Sequence, residues 1–194
     1  MMFMVFEPKG KGRLNCYALV TYIPDPLAKF LDELRKELVP GCTPHAHVTI
    51  LPPRPITAEG DAAAEASRLA LADVPAFELD AGEIEVFQVT NVVYLSISKG
   101  VKELHELHAL ANTGPVVFQE PYPYHPHITL AQDLTAEECV RLEEIARNRW
   151  AAYCQTRQSR RIPVETLTFV QCTVECKWLD LAQFPLASAV PAVR

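Results

Sequence analysis

Two short stretches of the sequence carry residue types that could transfer protons. Each reads His-x-His-x-Thr followed by an aliphatic residue, at residues 45–50 and 125–130, so that corresponding positions lie 80 residues apart. The β-branched residues and the alternating chemistry of both stretches favour β-strands. Because residues i, i+2 and i+4 of a strand share a face, each stretch is predicted to place two histidines and a threonine on one face and its other residues toward the core.

A pair of histidines on facing strands suits general acid–base catalysis near neutral pH. If a pseudo-twofold axis relates the strands, His47 meets His127 across a cleft, where one neutral imidazole can accept a proton and the other, protonated, can donate one. Thr49 and Thr129 lie two residues further along the same faces, where their hydroxyls can donate to the oxygens of an anion. A phosphodiester suits this arrangement, because the hydroxyl donors stabilise the charge that builds up on its oxygens.

The elements around the two motifs follow one order in both halves of the chain: strand, helix, motif strand, helix and strand. Asp25 is the predicted N-cap of the first helix, with Pro26 at its first helical position. Thr135 and Glu138 have the spacing of a capping box. The proline-rich segment 52–55 is predicted to end the first motif strand. The predicted strands span residues 16–23, 45–50, 76–89, 92–98, 125–130, 162–172 and 174–180, and the predicted helices span 27–38, 58–72, 101–111 and 135–150.

The repeated order of elements predicts the fold class. The copies are too long for the unit of a solenoid, and no linker separates them. We therefore expect a single duplicated, bilobal α+β domain over residues 1–194, with its halves at about 13–90 and 91–180. Its two lobes are predicted to be β-sheets with outer helices around a central cleft.

The composition is that of a globular protein and limits its partners. Of the 194 residues 49% are hydrophobic and 22% are charged, and the net charge is −6 with a pI near 5.5. Such an acidic chain lacks the basic footprint of a protein that binds long duplex nucleic acid, so we expect no such partner. A small phosphate ligand in a locally basic pocket is compatible with this charge.

The lack of a recognisable targeting signal and the use of cysteine both favour a cytoplasmic protein. The apolar run at residues 1–6 is too short for the core of a signal peptide, and charged residues follow it at once. No later stretch approaches the roughly 18 uninterrupted apolar residues of a membrane span, so we expect a cytoplasmic protein with no membrane partner. The six cysteines form no Cys-x-x-Cys pair and are expected to be reduced and buried rather than disulfide-bonded.

The two motifs resemble the paired His-x-Thr/Ser-aliphatic tetrads of the two-histidine (2H) phosphoesterases, a family that includes the bacterial 2′-5′ RNA ligase-like proteins. The matching tetrads are residues 47–50 and 127–130, and the segment 13–19 is similar to the opening strand of the family. The resemblance covers most of the chain, from about residue 13 to residue 180. Two such tetrads in matching positions of an internal repeat are a specific signal, whereas one alone would be a weak one.

The resemblance implies a duplicated bilobal fold and metal-independent chemistry without a cofactor. The expected partners are RNA ends or small nucleotides that carry a 2′,3′-cyclic phosphate or a 2′-5′ linkage, which the family hydrolyses or, in reverse, ligates. Carried over to this chain, His47 and His127 are the acid–base pair, and Thr49 and Thr129 donate to the phosphate. We expect a monomer.

Several residues outside the tetrads are candidates for substrate binding. His45 and His125 share the motif faces, where they either line the edge of the cleft or contact the substrate. Arg54, just after the first motif, could steer an RNA phosphate, and Tyr124 could stack on a base. The weaker candidates for the same two roles are Tyr17, Tyr22, Arg157, Arg160 and Arg161.

Two other functions remain open from the sequence. The four motif histidines could bind zinc or another transition metal, although neither motif contains an Asp or Glu to complete or orient such a site. Alternatively, the chain could be a nucleotide-binding module that does no catalysis. His105 and His108, spaced i, i+3 on a predicted helix, are expected to face solvent or pack at the helix edge.

Overall fold

The computed structural model describes residues 6–43 and 45–188. The predicted apolar run at residues 1–6 therefore lies outside the described residues except for Phe6, as do both ends of the predicted domain 1–194. No helix in the described ranges is long and apolar enough to cross a membrane. The strands are β1 Arg13–Tyr22, β2 His47–Arg54, β3 Phe77–Phe87, β4 Val92–Lys99, β5 His127–Ala131, β6 Arg161–Val164, β7 Thr166–Thr173 and β8 Trp178–Pro185. The helices are α1 Leu27–Leu38, α2 Gly60–Ala70, α3 Val101–Ala111 and α4 Ala136–Gln155, with a short 3₁₀ turn at Gly114–Val116.

The strands form two four-stranded sheets in which every pair is antiparallel. Sheet 1 has the order β2-β1-β7-β8, and sheet 2 has the order β5-β4-β3-β6. With four helices packed around these sheets, the predicted α+β class and the bilobal arrangement are confirmed. The two motif strands, β2 and β5, occupy the same place in the two orders, at an edge.

The sheets do not coincide with the two halves of the sequence. Sheet 1 takes β7 and β8 from the second half, and sheet 2 takes β3 from the first. The helices cross over as well: α1, which follows β1 of sheet 1, packs against β5 and α4, whereas α3, which follows β4 of sheet 2, packs against β2. One continuous hydrophobic core spans both sheets. Each half of the chain therefore helps to build both lobes.

The region predicted as one strand at 162–172 is in fact two strands. β6 pairs with β3 in sheet 2, and β7 pairs with β1 in sheet 1, with Glu165 between them. The buried residues on the two sides of Glu165 include Ile162, Val164 and Leu167. An apolar run of this kind predicts one strand, because the pattern shows which residues are buried but not which sheet each of them joins. The alternation of buried positions does change phase between Val164 and Leu167, which is the sequence signal for the break.

The first motif strand continues past the prolines that were predicted to end it. β2 includes Pro52 and Pro53 and ends at Arg54. The register of β2 against β1 shifts over this stretch, where Tyr17 lies opposite Arg54 and Leu19 opposite Leu51. Proline is tolerated here because β2 is an edge strand with an irregular ladder, so that a missing N–H costs little.

The two predicted helix starts differ in outcome. The N-cap of α1 is Pro26 rather than Asp25, so the predicted assignment is wrong by one residue, although Asp25 Oδ1 still accepts a hydrogen bond from the backbone N–H of Lys29 at 3.1 Å. The capping box of α4 is confirmed. Thr135 Oγ1 accepts from the N–H of Glu138 at 3.2 Å, and Glu138 Oε2 accepts from the N–H of Thr135 at 2.9 Å.

Substitution of the cap tests how much this box contributes to stability. Thr135→Ala leaves an N–H of the first turn of α4 without its acceptor, so the free energy of unfolding should fall by about 1 kcal/mol. Urea denaturation followed by circular dichroism measures the change. The control is Glu138→Gln, which keeps an acceptor in the box and should change stability much less. Equal losses in the two variants would show that the carboxylate charge matters more than the cap.

Candidate active site

The motif strands β2 and β5 lie against each other at the junction of the two sheets. Each pairs with the opening strand of its own half, so that His47 lies opposite Tyr22 on β1 and His127 lies opposite Ser96 on β4. The two histidines are the first residues of their strands. The repeat in the sequence is therefore a repeat in space, and it brings two matching strand ends together.

The burial of both motifs alternates as predicted. The residues that alternate with the histidines and threonines are buried, and they are Ala46, Val48 and Ile50 in the first motif and Pro126, Ile128 and Leu130 in the second. His47, Thr49, His127 and Thr129 are partly buried on the other face. This alternation confirms the predicted faces, and the apolar positions fix the motif strands to the common core.

Each tetrad histidine makes the same short hydrogen bond to the backbone. Nδ1 of His47 lies 2.7 Å from the carbonyl oxygen of His45, and Nδ1 of His127 lies 2.7 Å from the carbonyl oxygen of His125. Because a carbonyl oxygen only accepts, the hydrogen of each neutral ring must sit on Nδ1. Nε2 is then the unprotonated nitrogen of both neutral imidazoles, ready to accept a proton.

Burial strongly shifts the titration of these histidines. The pKa of His47 is lowered to about 4, mainly by loss of hydration and also by the charges of Arg35 and His127, while the backbone hydrogen bond to His45 and the charge of Asp32 act in the opposite direction. Burial also lowers the pKa of His127, helped by the charge of His125 and opposed by the backbone hydrogen bond. Both rings are therefore neutral at pH 7 in the free protein, and a bound anion would favour the protonated form of either one.

Aromatic rings hold the second motif more closely than the first. Phe87 and Tyr94 stack at 4.0 Å between ring centroids, and both meet His127 edge-on at 5.0 and 5.3 Å. In the first motif Tyr22 meets His47 edge-on at 6.4 Å, and its hydroxyl donates to Asp180 at 2.7 Å. These contacts restrict the rotation of both imidazoles, so the rings are preorganised.

The sequence matches the family model of the 2′-5′ RNA ligase superfamily over residues 23–171, a span that contains both motifs and most of the chain. The chain belongs to the 2′-5′ RNA ligase superfamily. The resemblance of the two tetrads to this group of phosphoesterases is thereby confirmed.

Solved structures and one curated relative are similar to this superfamily member. E. coli LigT complexed with ATP superposes with a TM-score of 0.61 at 15% identity, covering 89% of this chain and 97% of that one. A crystal structure named only as a phosphoesterase gives a TM-score of 0.59 at 16% identity, covering 89% and 98%. At these identities the likeness shows the fold alone. An Oceanobacillus iheyensis protein named Putative phosphoesterase OB1230 is 32% identical over 63 residues, which span 32% of this chain and 36% of that protein.

Arg54, a predicted phosphate ligand, is buried instead. Its side chain is 1% exposed and pairs with the carboxylate of Glu120. It also donates to the carbonyl of Pro52 at 2.9 Å and to Asn112 Oδ1 at 2.7 Å, and its guanidinium lies 5.8 Å from the ring centroid of Phe118. These contacts tie the end of β2 to the segment after α3, so Arg54 lies in a supporting network and not on the protein surface.

Tyr124 and His108 support the open edge of the first motif strand. The hydroxyl of Tyr124 donates to the carbonyl of Thr49 at 2.8 Å, and Nδ1 of His108 donates to the carbonyl of Ile50 at 2.8 Å. The two rings stack in parallel with centroids 4.0 Å apart. His108 was expected to face solvent or pack at the helix edge; it packs, with 15% of its side chain exposed, whereas His105 meets Tyr124 edge-on at 5.3 Å.

The remaining candidates lie away from the motif histidines. Tyr17 is buried, stacks on Phe169 at 5.6 Å and accepts a hydrogen bond from Gln171 at 2.8 Å, as a core residue does. Arg161 is exposed on β6, at the edge of sheet 2 opposite to β5. Arg157 and Arg160 are exposed in the loop before it.

His45 and His125 serve the site through their backbone carbonyls. The side chain of His45 is 80% exposed, with Nδ1 3.1 Å from Asp32 Oδ2. The ring of His125 meets Phe87 edge-on at 5.1 Å.

Asp32 was not predicted from the sequence, because nothing in its position on α1 indicates a contact with the motif thirteen residues later. Among the described residues, no group of three or more His, Cys, Asp or Glu side chains is placed to hold a metal ion.

Removal of the buried guanidinium distinguishes support from substrate binding. Arg54→Met removes the guanidinium from the carboxylate of Glu120, which is 11% exposed and keeps the more distant His108 Nε2 at 3.6 Å, so the free energy of unfolding should fall by about 3–5 kcal/mol. The control is Arg68→Met, which removes the same charge from an exposed pair with Glu65 and should cost less than about 1 kcal/mol. Urea denaturation of both variants measures the difference. Unchanged stability in Arg54→Met, with weaker substrate binding, would return Arg54 to the list of phosphate ligands.

Proposed function

We propose that this chain is a metal-independent phosphoesterase that acts on a 2′,3′-cyclic phosphate or a 2′-5′ phosphodiester linkage of RNA ends or small nucleotides, with His47 and His127 as its acid–base pair. The observation that carries the proposal is the matching pair of hydrogen bonds from Nδ1 to a backbone carbonyl, each 2.7 Å long. They leave Nε2 of both rings to exchange protons. Membership in the 2′-5′ RNA ligase superfamily supports the same function.

Hydrolysis of a cyclic phosphate uses both nitrogens in one step. Nε2 of the neutral histidine takes a proton from water as the water oxygen bonds to phosphorus. The bond between phosphorus and the 3′ oxygen breaks, and the protonated histidine donates the proton on its Nε2 to that oxygen. The products are a 2′-phosphate and a 3′-hydroxyl, and proton exchange with solvent restores the pair. With a 5′-hydroxyl in place of water, the same step forms a 2′-5′ linkage.

The protonated histidine acquires its proton together with the substrate. Burial holds the pKa of both rings low in the free protein, and the negative charge of a phosphodiester between them favours one imidazolium. Thr49 and Thr129 lie two residues beyond the histidines on the same faces, where their hydroxyls would donate to the non-bridging oxygens of that phosphate. The hydroxyl of Tyr124 on the Thr49 carbonyl would keep this part of β2 in place.

The face of sheet 1 beside the histidines supports a nucleotide as the substrate. Val20 lies opposite Thr49, and Ala18 lies opposite Val170, so these side chains share the motif face. They form an apolar cluster separate from the main core, against which Tyr22 and Trp178 pack. The cluster itself is buried, whereas the rings of Tyr22 and Trp178 that cover it are partly exposed, and an aromatic surface next to an anion site suits a ligand with both a base and a phosphate. E. coli LigT, which shares the fold, has been crystallised with ATP, with 3′-AMP and with phosphate.

Kinetics of the motif variants test the assigned roles. His47→Ala and His127→Ala should each lower turnover by about 10²–10⁴-fold, because each removes one of two proton-transfer groups. The double variant should lose less than the product of the two, since groups that act in one step are not additive. Thr49→Val and Thr129→Val should lose less than either histidine variant. Initial rates on 2′,3′-cyclic nucleotides and on short RNAs with a terminal cyclic phosphate measure these effects.

The neighbouring histidines provide matched controls for the same experiment. His45→Ala and His125→Ala keep the backbone carbonyls that hold His47 and His127, so their losses should be the mildest of the four histidine variants. Four equal losses would favour a metal site built from all four imidazoles. Nucleotide binding without turnover in the unaltered protein would make the chain a binding module instead.

Chelation tests the metal independence of the reaction. The two histidines supply both proton transfers, so activity on a cyclic phosphate should survive exhaustive treatment with EDTA. The measurement compares rates before and after chelation, with added zinc or manganese as the control. Loss of activity on chelation and its recovery with either metal would contradict the acid–base mechanism.

A further inference from the structure

Asp32 on α1 binds the start of the first motif with both of its carboxylate oxygens. Oδ1 accepts a hydrogen bond from the backbone N–H of Ala46 at 2.7 Å, and Oδ2 lies 3.1 Å from Nδ1 of His45. The carboxylate is 21% exposed. A charged acceptor at this distance makes a strong hydrogen bond to a backbone N–H, so it fixes the orientation of the peptide unit that contains that N–H.

The same peptide unit holds His47 on its other side. The N–H of Ala46 and the C=O of His45 belong to one amide, and that carbonyl accepts from Nδ1 of His47 at 2.7 Å. Hydrogen bonds in series through one amide polarise each other. The carboxylate of Asp32 therefore makes the carbonyl a better acceptor and stabilises positive charge on the ring of His47, two hydrogen bonds away.

The second motif cannot repeat this arrangement. The residue between its two histidines is Pro126, and proline has no backbone N–H. The carbonyl of His125 still accepts from Nδ1 of His127 at 2.7 Å, but its amide has no hydrogen to offer a carboxylate. The two motifs therefore differ by one backbone hydrogen, which Ala46 has and Pro126 lacks. This difference affects only the amide that binds His47.

Other charges and titratable groups also act on the two rings. Asp32 raises the pKa of His47, whereas Arg35 on the same helix and His127 on the facing strand lower it. The groups near the first ring are Asp32 and Arg35 from α1, His45 from its own segment, Tyr22 from β1 with its hydroxyl on Asp180 of β8, and His127 from β5. Those near the second ring are His125, Tyr94 with its hydroxyl on Glu85, and His47. Asp32 is joined to the ring of His47 through the hydrogen bonds of one amide, whereas Asp180 accepts from the hydroxyl of Tyr22.

We propose that Asp32 is a positioning residue that acts on His47 alone, through the His45–Ala46 peptide, and so makes the two histidines of the repeat chemically unequal. The inference deepens the proposed function and rests on it for its kinetic consequences. Asp32 orients His47 and favours its protonated form at the moment when the proton arrives with the substrate. His127 depends instead on the aromatic contacts of Phe87 and Tyr94.

Removal of the charge with the shape retained tests this role. Asp32→Asn keeps an oxygen that can accept from Ala46 but has no negative charge, so kcat/KM should fall about tenfold, as is typical for a residue that orients a reactive histidine. One limb of the pH profile of kcat/KM should move to lower pH, because loss of a nearby negative charge lowers the pKa of His47. The limb that moves is the one set by the pKa of His47, and a profile in which neither limb moves would contradict the proposal. The control is Glu33→Gln, which removes an exposed carboxylate from the same helix and should move neither limb.

Double variants show whether the effect passes through His47. Asp32→Asn should cost nothing further in the His47→Ala background and should keep its cost in the His127→Ala background. An equal additional loss in both backgrounds, or equal pH shifts in Asp32→Asn and Glu33→Gln, would overturn the proposal.

A measurement without substrate separates this inference from the proposed function. In NMR spectra of protein with ¹⁵N-labelled histidine, the Nδ1 proton of His47 at neutral pH should lose its downfield position in Asp32→Asn, whereas that of His127 should stay in place. The His47→Ala and His127→Ala variants assign the two signals. Movement of the His47 signal in a protein that turns over no cyclic phosphate would support the coupling and reject the phosphoesterase. No movement in an active enzyme would do the reverse.

Discussion

The hydrogen bond from Nδ1 of each tetrad histidine to the carbonyl two residues earlier is the contact on which the site depends. It fixes the tautomer, so that Nε2 of both His47 and His127 is the nitrogen available for proton transfer. It also gives a role to the residue two places before each tetrad histidine. In His45 and His125 the backbone carbonyl, rather than the side chain, accepts this bond. A carbonyl supplies this bond at any pH, whereas a carboxylate in its place could be protonated in acid.

Such a bond is useful only if the strands that carry it are rigid, and both are edge strands. An edge strand has backbone groups on its open side that need other partners. In β2 those partners are the hydroxyl of Tyr124 and the imidazole of His108, which donate to the carbonyls of Thr49 and Ile50. The buried pair of Arg54 and Glu120 holds the end of the same strand. The polar residues behind β2 thus replace the missing neighbour strand.

The exchange of elements between the halves joins the two strand ends. Helix α1 belongs to the first half but packs against β5, and α3 belongs to the second half but packs against β2. Movement of one lobe would therefore disturb both helices, and the common core packs the strands that carry both histidines. The same crossing brings Asp32 of α1 to the start of the first motif, where it has an amide hydrogen to bind, whereas Pro126 provides none in the second.

The sequence by itself determined the α+β class, the two motif faces and the family, because strand periodicity and a repeated His-x-His-x-Thr pattern are local properties of the chain. It also predicted most helices and strands to within a few residues, and the capping box at Thr135. The tertiary structure alone decided which strands share a sheet, including that the strands before and after Glu165 belong to different sheets, and that Arg54 is buried. It also decided that Asp32 meets Ala46. These contacts join residues that are distant in the chain, and a local pattern records that a side chain is buried or polar without recording which partner covers it.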